Sequence, residues 1–216
     1  MMKKWKIPAA CLIVAASLLL NYFGREFSAM FSVPLWLDSV GTVFTAYLLG
    51  PVCGALVGFT SNVIFYMKDG SSILYGLVSA AVGIVVGLAG RRRTLDTYLG
   101  ALTVCTMVTL YSVLISVPLN LILNEGSTGN AWGDAIITFL QGRGVPREVG
   151  IAVGQLYLEL LDKLVILTIL FIMLRILREI RKNLKKSQED KAESDAASPA
   201  VKALSFILAA GLGLSV

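Results

Sequence analysis

The chain has 216 residues, 56% of them hydrophobic and 15% charged, with a net charge of +5 and no histidine. A soluble domain of this size could not bury so much apolar surface, and several runs of roughly 17–25 apolar residues are each long enough to cross a bilayer. A transmembrane barrel would alternate in short segments instead, and the missing histidine excludes His-ligated metals and histidine proton relays.

The first apolar run, about Ile7 to Phe23, follows Lys3, Lys4 and Lys6. No small-x-small cleavage site precedes a polar region, so the run reads as a retained helix rather than a signal peptide. Residues 24–34 suit an interfacial loop, or a short helix, ended by Pro34. A short second span is expected from about Leu35 to Leu49 and a third from Pro51 to about Met67. Gly50-Pro51 between them is a tight turn, since proline starts a helix better than it continues one. Gly50, Gly54 and Gly58 lie four apart and form a flat packing face. The polar turn Lys68–Ser72 leads to a fourth span, about Ile73 to Ala89, with Ser79, Gly83 and Gly87 as a second small stripe and Arg91, Arg92 and Arg93 at its close. The fifth span runs from about Tyr98 to Leu123, with a kink predicted at Pro118.

Residues 124–149 form the longest connection. Its middle, Asn130 to Gln141, reads as an amphipathic helix, with Gly142 and Gly144 as breakers. The sixth span runs from about Gly150 to Leu174 and continues as a basic helical extension to Lys191. Residues 187–199 are polar and linker-like. The final stretch turns apolar again, but from Ala203 it has only 14 residues, too short to span. It reads as an interfacial tail or, preferably, as the start of a truncated seventh segment. The expected organisation is a six-helix membrane domain (1–180), a cytoplasmic basic and polar linker (181–200) and an apolar tail (201–216).

With the N-terminus taken as cytoplasmic, the inner segments hold fourteen Lys and Arg residues, Arg91–Arg93 and the basic stretch after Leu174 among them; the outer segments hold four, Arg25, Lys68, Arg143 and Arg147. The positive-inside rule then supports an all-α polytopic membrane protein of six transmembrane helices with both ends of the bundle in the cytoplasm. The basic clusters flank membrane spans, so orientation and anionic headgroups account for them, and no nucleic-acid partner is expected. Cys11, Cys53 and Cys105 fall inside apolar runs without metal or redox spacing and read as packing residues.

Ionisable residues inside spans are costly and commonly functional. Here they are Asp38, Glu159, Asp162 and Lys163, with Glu159 and Lys163 four apart on one helical face. Counting back from Arg175 at about 1.5 Å per residue puts the last three in the outer half of the membrane. Asp38, Asn62, Tyr66, Tyr75, Asn120 and Gln155 fall at similar depth. These nine are the candidate substrate-binding residues of a small-molecule pocket between helices, open outward. The competing reading is a structural network in which the charges neutralise one another and Asn62 bonds across helices. There is no nucleophile–base pair, Walker motif, HExxH or cluster of metal ligands, so no enzyme, metal or cofactor is expected.

The run LDSVGTVFTAYLLGPVCGALVGFTSN (37–62) resembles the second and third helices of the substrate-binding S components of energy-coupling factor (ECF) vitamin transporters. In that family an LGPxxGxxxG turn joins these helices, as Leu49-Gly50-Pro51, Gly54 and Gly58 do here. The six spans, the cytoplasmic ends, the long loop before the last span and, more loosely, Asp162-Lys163 match as well. The resemblance implies an S-component-like fold in the cell membrane, a vitamin-like ligand held near the outer face, and association with an ECF coupling subunit and two ATPases. The AxxxA face of that family's first span is missing; Cys11 and Ala15 are the nearest small pair. The first expectation is therefore uptake of a small vitamin-like molecule through an ECF-type ABC transporter. The alternative is a membrane sensory input domain of a larger signalling protein, which the basic helix, the linker and the apolar tail suit better. A purely structural membrane protein comes third.

Overall fold

The computed structural model describes residues 7–70 and 73–212. Lys3, Lys4 and Lys6, the Ser71–Ser72 part of the predicted turn and the last four tail residues lie outside the described residues. Among the described residues seven α-helices follow one another: α1 (Ile7–Phe31), α2 (Val40–Leu49), α3 (Pro51–Asp69), α4 (Gly76–Arg91), α5 (Tyr98–Leu123), α6 (Ala131–Gln141) and α7 (Arg147–Leu212). Short 3-10 turns, Ile73–Tyr75 and Thr94–Asp96, lead into α4 and α5. Among the described residues three stretches, Ile7–Phe31, Ile73–Arg91 and Tyr98–Leu123, are long and apolar enough to cross a membrane; α2 is apolar but shorter. Leu12 and Leu19 on α1 and Leu110 and Leu114 on α5 are exposed. Lipid accommodates such a surface where water would not. The chain is a multi-pass, all-helical membrane protein.

Two expectations about the first hairpin need correction. The first span, predicted to end at about Phe23, continues as one helix to Phe31, and the span predicted from Leu35 is irregular until Val40. Both differences arise where the two segments touch. A Cβ on Gly24 would stand 2.1 Å from the Leu37 carbonyl oxygen, so the glycine lets residues 35–37 lie directly against the last turns of α1. Leu37 itself has φ 53°, a left-handed value that no helix contains. Asp38 consequently lies in a turn ahead of α2, not within a span.

Backbone proximity holds α2, α3 and α4 together. Gly50, at φ 100°, turns the chain and Pro51 opens α3. A Cβ on Gly54 would meet the Ala46 Cα at 2.7 Å, one on Gly58 the Ser79 oxygen at 2.5 Å, one on Gly83 the Gly54 carbonyl carbon at 2.4 Å, and one on Gly87 the Pro51 Cα at 2.4 Å. Small residues at these positions let dispersion act between main chains where no hydrophobic effect separates helix from lipid. Polar side chains add α1 to the group. The buried Asn21 amide donates to Thr42 Oγ1 (2.9 Å) and Ser61 Oγ (2.8 Å), and its Oδ1 accepts from the Gly41 N–H (2.7 Å). Thr45 donates to Ser17 Oγ at 2.7 Å.

The two ends of this bundle differ. Gly50 lies beside the Arg91 guanidinium, so the α2–α3 turn and the arginine triplet share one end. At the other end Lys68 pairs with Glu26, and Arg147 donates to the Glu125 carbonyl. There Asn130 caps α6 by accepting from the Trp132 N–H at 3.0 Å. The described residues up to Phe171 form one compact unit and those from Ile172 a second, with α7 beginning in the first and ending in the second. In the second unit Arg175, Arg178, Lys182 and Lys186 are exposed, and the stretch 187–199 that reads as a linker is helical.

Candidate functional site

Within the first unit a cavity of about 200 Å³ lies at the end away from the Gly50 turn. The α7 wall supplies Gln155, Glu159 and Lys163, four apart and so on one face of the helix. Lys163 Nζ stands 2.6 Å from Asp162 Oδ2, 3.1 Å from Glu159 Oε2 and 3.4 Å from Ser39 Oγ. Glu159 Oε2 is buried and makes no hydrogen bond within geometric limits among the described residues; the ion pair with Lys163 is its polar contact. Asp162 is fully buried behind the wall. Its Oδ1 accepts the backbone N–H groups of Trp36 (3.0 Å) and Leu37 (2.8 Å), donors that an irregular segment would otherwise leave orphaned.

From Glu159 a line of side chains crosses the cavity. Gln155 Nε2 donates to Glu159 Oε1 at 3.0 Å, and Asn120 Nδ2 to Gln155 Oε1 at 2.9 Å. Tyr75 donates its hydroxyl to Asn120 Oδ1, and Asn124 Nδ2 donates to that hydroxyl at 2.9 Å. Asn62 uses both amide hydrogens structurally, on the Gly58 carbonyl (3.0 Å) and Ser79 Oγ (2.9 Å), so only its oxygen is left to offer. Asp38 lines the cavity half-buried and has no hydrogen-bond partner among the described residues. Arg25 is on the same wall, its guanidinium 4.3 Å from the Phe65 ring centroid. Thr128 and Gly129 border the cavity, and the adjoining residues tie that loop to the α1–α2 connection: Trp132 Nε1 donates to the Ser32 carbonyl at 2.7 Å and Asn130 Nδ2 to that of Val33 at 3.2 Å.

The structure thus gathers Asp38, Asn62, Tyr75, Asn120, Gln155, Glu159 and Lys163 around one space. Asp162 belongs to the scaffold behind them. Tyr66, one turn beyond Asn62, is 52% exposed and lies off the cavity wall, contrary to expectation. Arg25 lies beyond the first apolar run, which ends at Phe23, so its place on the cavity wall is not legible in the sequence. Ser116 and Asn124 could have been found, since with Asn120 they repeat every four residues.

A family model with the description 5TM-5TMR_LYT, 5TMR of 5TMR-LYT, matches residues 1–128. It represents a five-transmembrane domain of signalling and sensor proteins, and the matched segment holds five α-helices, α1 to α5. No curated protein and no solved structure matches the chain. The match overturns the resemblance to ECF S components and, with it, the vitamin-uptake reading. The pattern that suggested them, LGPxxGxxxG, has a sufficient cause in packing: Gly54 and Gly58 sit where a Cβ would strike neighbouring main chain. Any tight membrane hairpin makes that demand.

Proposed function

We propose, from the premise that the chain belongs to the 5TMR family of 5TMR-LYT, a class of membrane sensory domains of larger signalling proteins, that the cavity is its input site. The ligand is a small polar molecule arriving from the outer face of the membrane. The observation that carries this reading is the concentration of Asp38, Glu159, Lys163 and four amides around one space at one end of the bundle. Charges inside a membrane helix, as Glu159 and Lys163 are, are costly, and where they border a cavity they mark ligand sites by default.

In this reading the chain crosses the membrane six times, through α1 to α5 and the first part of α7. The Gly50 turn and Arg91–Arg93 lie in the cytoplasm, in line with the distribution of positive charge. The membrane is the plasma membrane, and the lipid bilayer covers the exposed apolar faces. The domain binds and reports and does no chemistry. Because α7 supplies Gln155, Glu159 and Lys163, occupancy acts directly on the helix that continues past the cavity.

Native mass spectrometry of the protein purified in mild detergent tests the assignment. A small-molecule adduct is expected on the native chain and not on Val78→Phe, which fills the cavity from the α4 wall. An adduct retained by Val78→Phe, or none on the native chain after supplying cell extract, overturns it.

A further inference from the structure

The charge of the cavity narrows the class of ligand, on the reading that the cavity is the input site. Three carboxylates, Asp38, Glu159 and Asp162, stand against two cations, Lys163 and Arg25, and all four of the others act electrostatically on Asp38. The cations are already engaged. Lys163 is held by Asp162 at 2.6 Å and Glu159 at 3.1 Å. Arg25 lies over the Phe65 ring and has a further interaction of its own. The anions are not equally satisfied. Asp38 has no hydrogen-bond donor among the described residues, and the buried Glu159 Oε2 has only its ion pair. An anionic ligand would have to draw Lys163 away from two carboxylates, leaving both buried and uncompensated. A cationic ligand would supply the donors that Asp38 and Glu159 lack, and charge-assisted hydrogen bonds are the stronger kind. Trp36, on the same wall, adds an aromatic ring suited to a cation.

We infer that the cavity selects a small organic cation, an amine or amidine, with its charged group held against Asp38 and Glu159. The space suits such a molecule: about 200 Å³ is more than ten times the ~10–15 Å³ that one water needs in such a cavity. The asparagine and glutamine side chains along the wall then bind the uncharged part of the molecule.

Calorimetric titration of the purified chain in detergent tests the class. Ethanolamine and agmatine serve as cationic probes, acetate and succinate as anionic ones, and glycerol as a neutral one. The cations are expected to bind, Asp38→Asn to weaken them by roughly ten- to hundredfold, and Asp38→Glu to restore most of the loss. Asp38 donates and accepts nothing structural among the described residues, so the asparagine variant is expected to fold. Binding of the anions in preference, strengthened by Asp38→Asn, overturns the charge assignment while leaving the cavity as the input site. Absence of heat from every probe at millimolar concentration overturns both.

Discussion

Lys163 shows how much one buried charge organises. It is 3% exposed and lies against Asp162 and Glu159. An ammonium in that position is tolerable only because both carboxylates compensate it, and each carboxylate depends on it in return. Lys163→Met leaves two buried acids facing each other. It is expected to lower stability by about 3–5 kcal/mol, read as a fall in the thermal midpoint in detergent. Glu159→Gln keeps the Gln155 hydrogen bond and removes one charge from a cluster with an excess of anions, so a much smaller change is expected. Equal losses in the two variants would remove Lys163 from the centre of the network. The sequence made these residues conspicuous, because charges are rare among so many apolar side chains. It could not separate their roles. Asp162 and Lys163 are adjacent, and one step along a helix turns the side chain by about 100°. That step sends Asp162 to the Trp36 and Leu37 amides and Lys163 to the cavity, a distinction decided by what happens to pack on each side.

At the scale of elements, legibility followed locality. The fifth helix was read to its ends, Tyr98–Leu123, and α6 differs from its predicted extent only in that Asn130 is its cap. Apolar runs and capping residues carry that information in the strand of sequence itself. The end of α1 and the start of α2 were misjudged because their causes are remote in sequence: Gly24 answers to the Leu37 carbonyl, and the amides of Trp36 and Leu37 answer to Asp162 on α7. The glycine stripe was legible as packing, and its energetics are testable. In Gly83→Val the new Cβ would fall 2.4 Å from the Gly54 carbonyl carbon, main chain that cannot step aside. The cost is expected to exceed the about 1–3 kcal/mol typical of overpacking, seen as loss of folded protein on size exclusion. Gly142→Ala, at φ −61° and with nothing nearer than 3.5 Å to its new Cβ, is expected to leave stability unchanged or slightly raised.

At the scale of the whole molecule, a short motif pointed to one family and the full first half of the chain to another. The hairpin pattern reports how closely two backbones approach, a need shared by unrelated membrane bundles; the match over residues 1–128 draws on five helices together. The proposed orientation is testable in the same frame. In a background with Cys11, Cys53 and Cys105 replaced, Arg143→Cys is expected to react with a membrane-impermeant maleimide on intact cells, and Arg92→Cys only after permeabilisation. The opposite pattern would invert the topology and turn the cavity towards the cytoplasm.

The line of side chains from Asn124 to Glu159 has a sense of direction. Every link donates the same way: Asn124 to Tyr75, Tyr75 to Asn120, Asn120 to Gln155, Gln155 to Glu159. The dipoles therefore add, with their positive ends aimed at the one member that carries negative charge, and each bond polarises the next. That order depends on Glu159 being an acceptor. A side chain that donated at position 159 would reverse the order, and the Gln155 and Asn120 amides, the Tyr75 hydroxyl and the Asn124 amide would each have to turn to pass the reversal along. Such a change on α7 would be registered as a turned side chain at Asn124, four hydrogen bonds away.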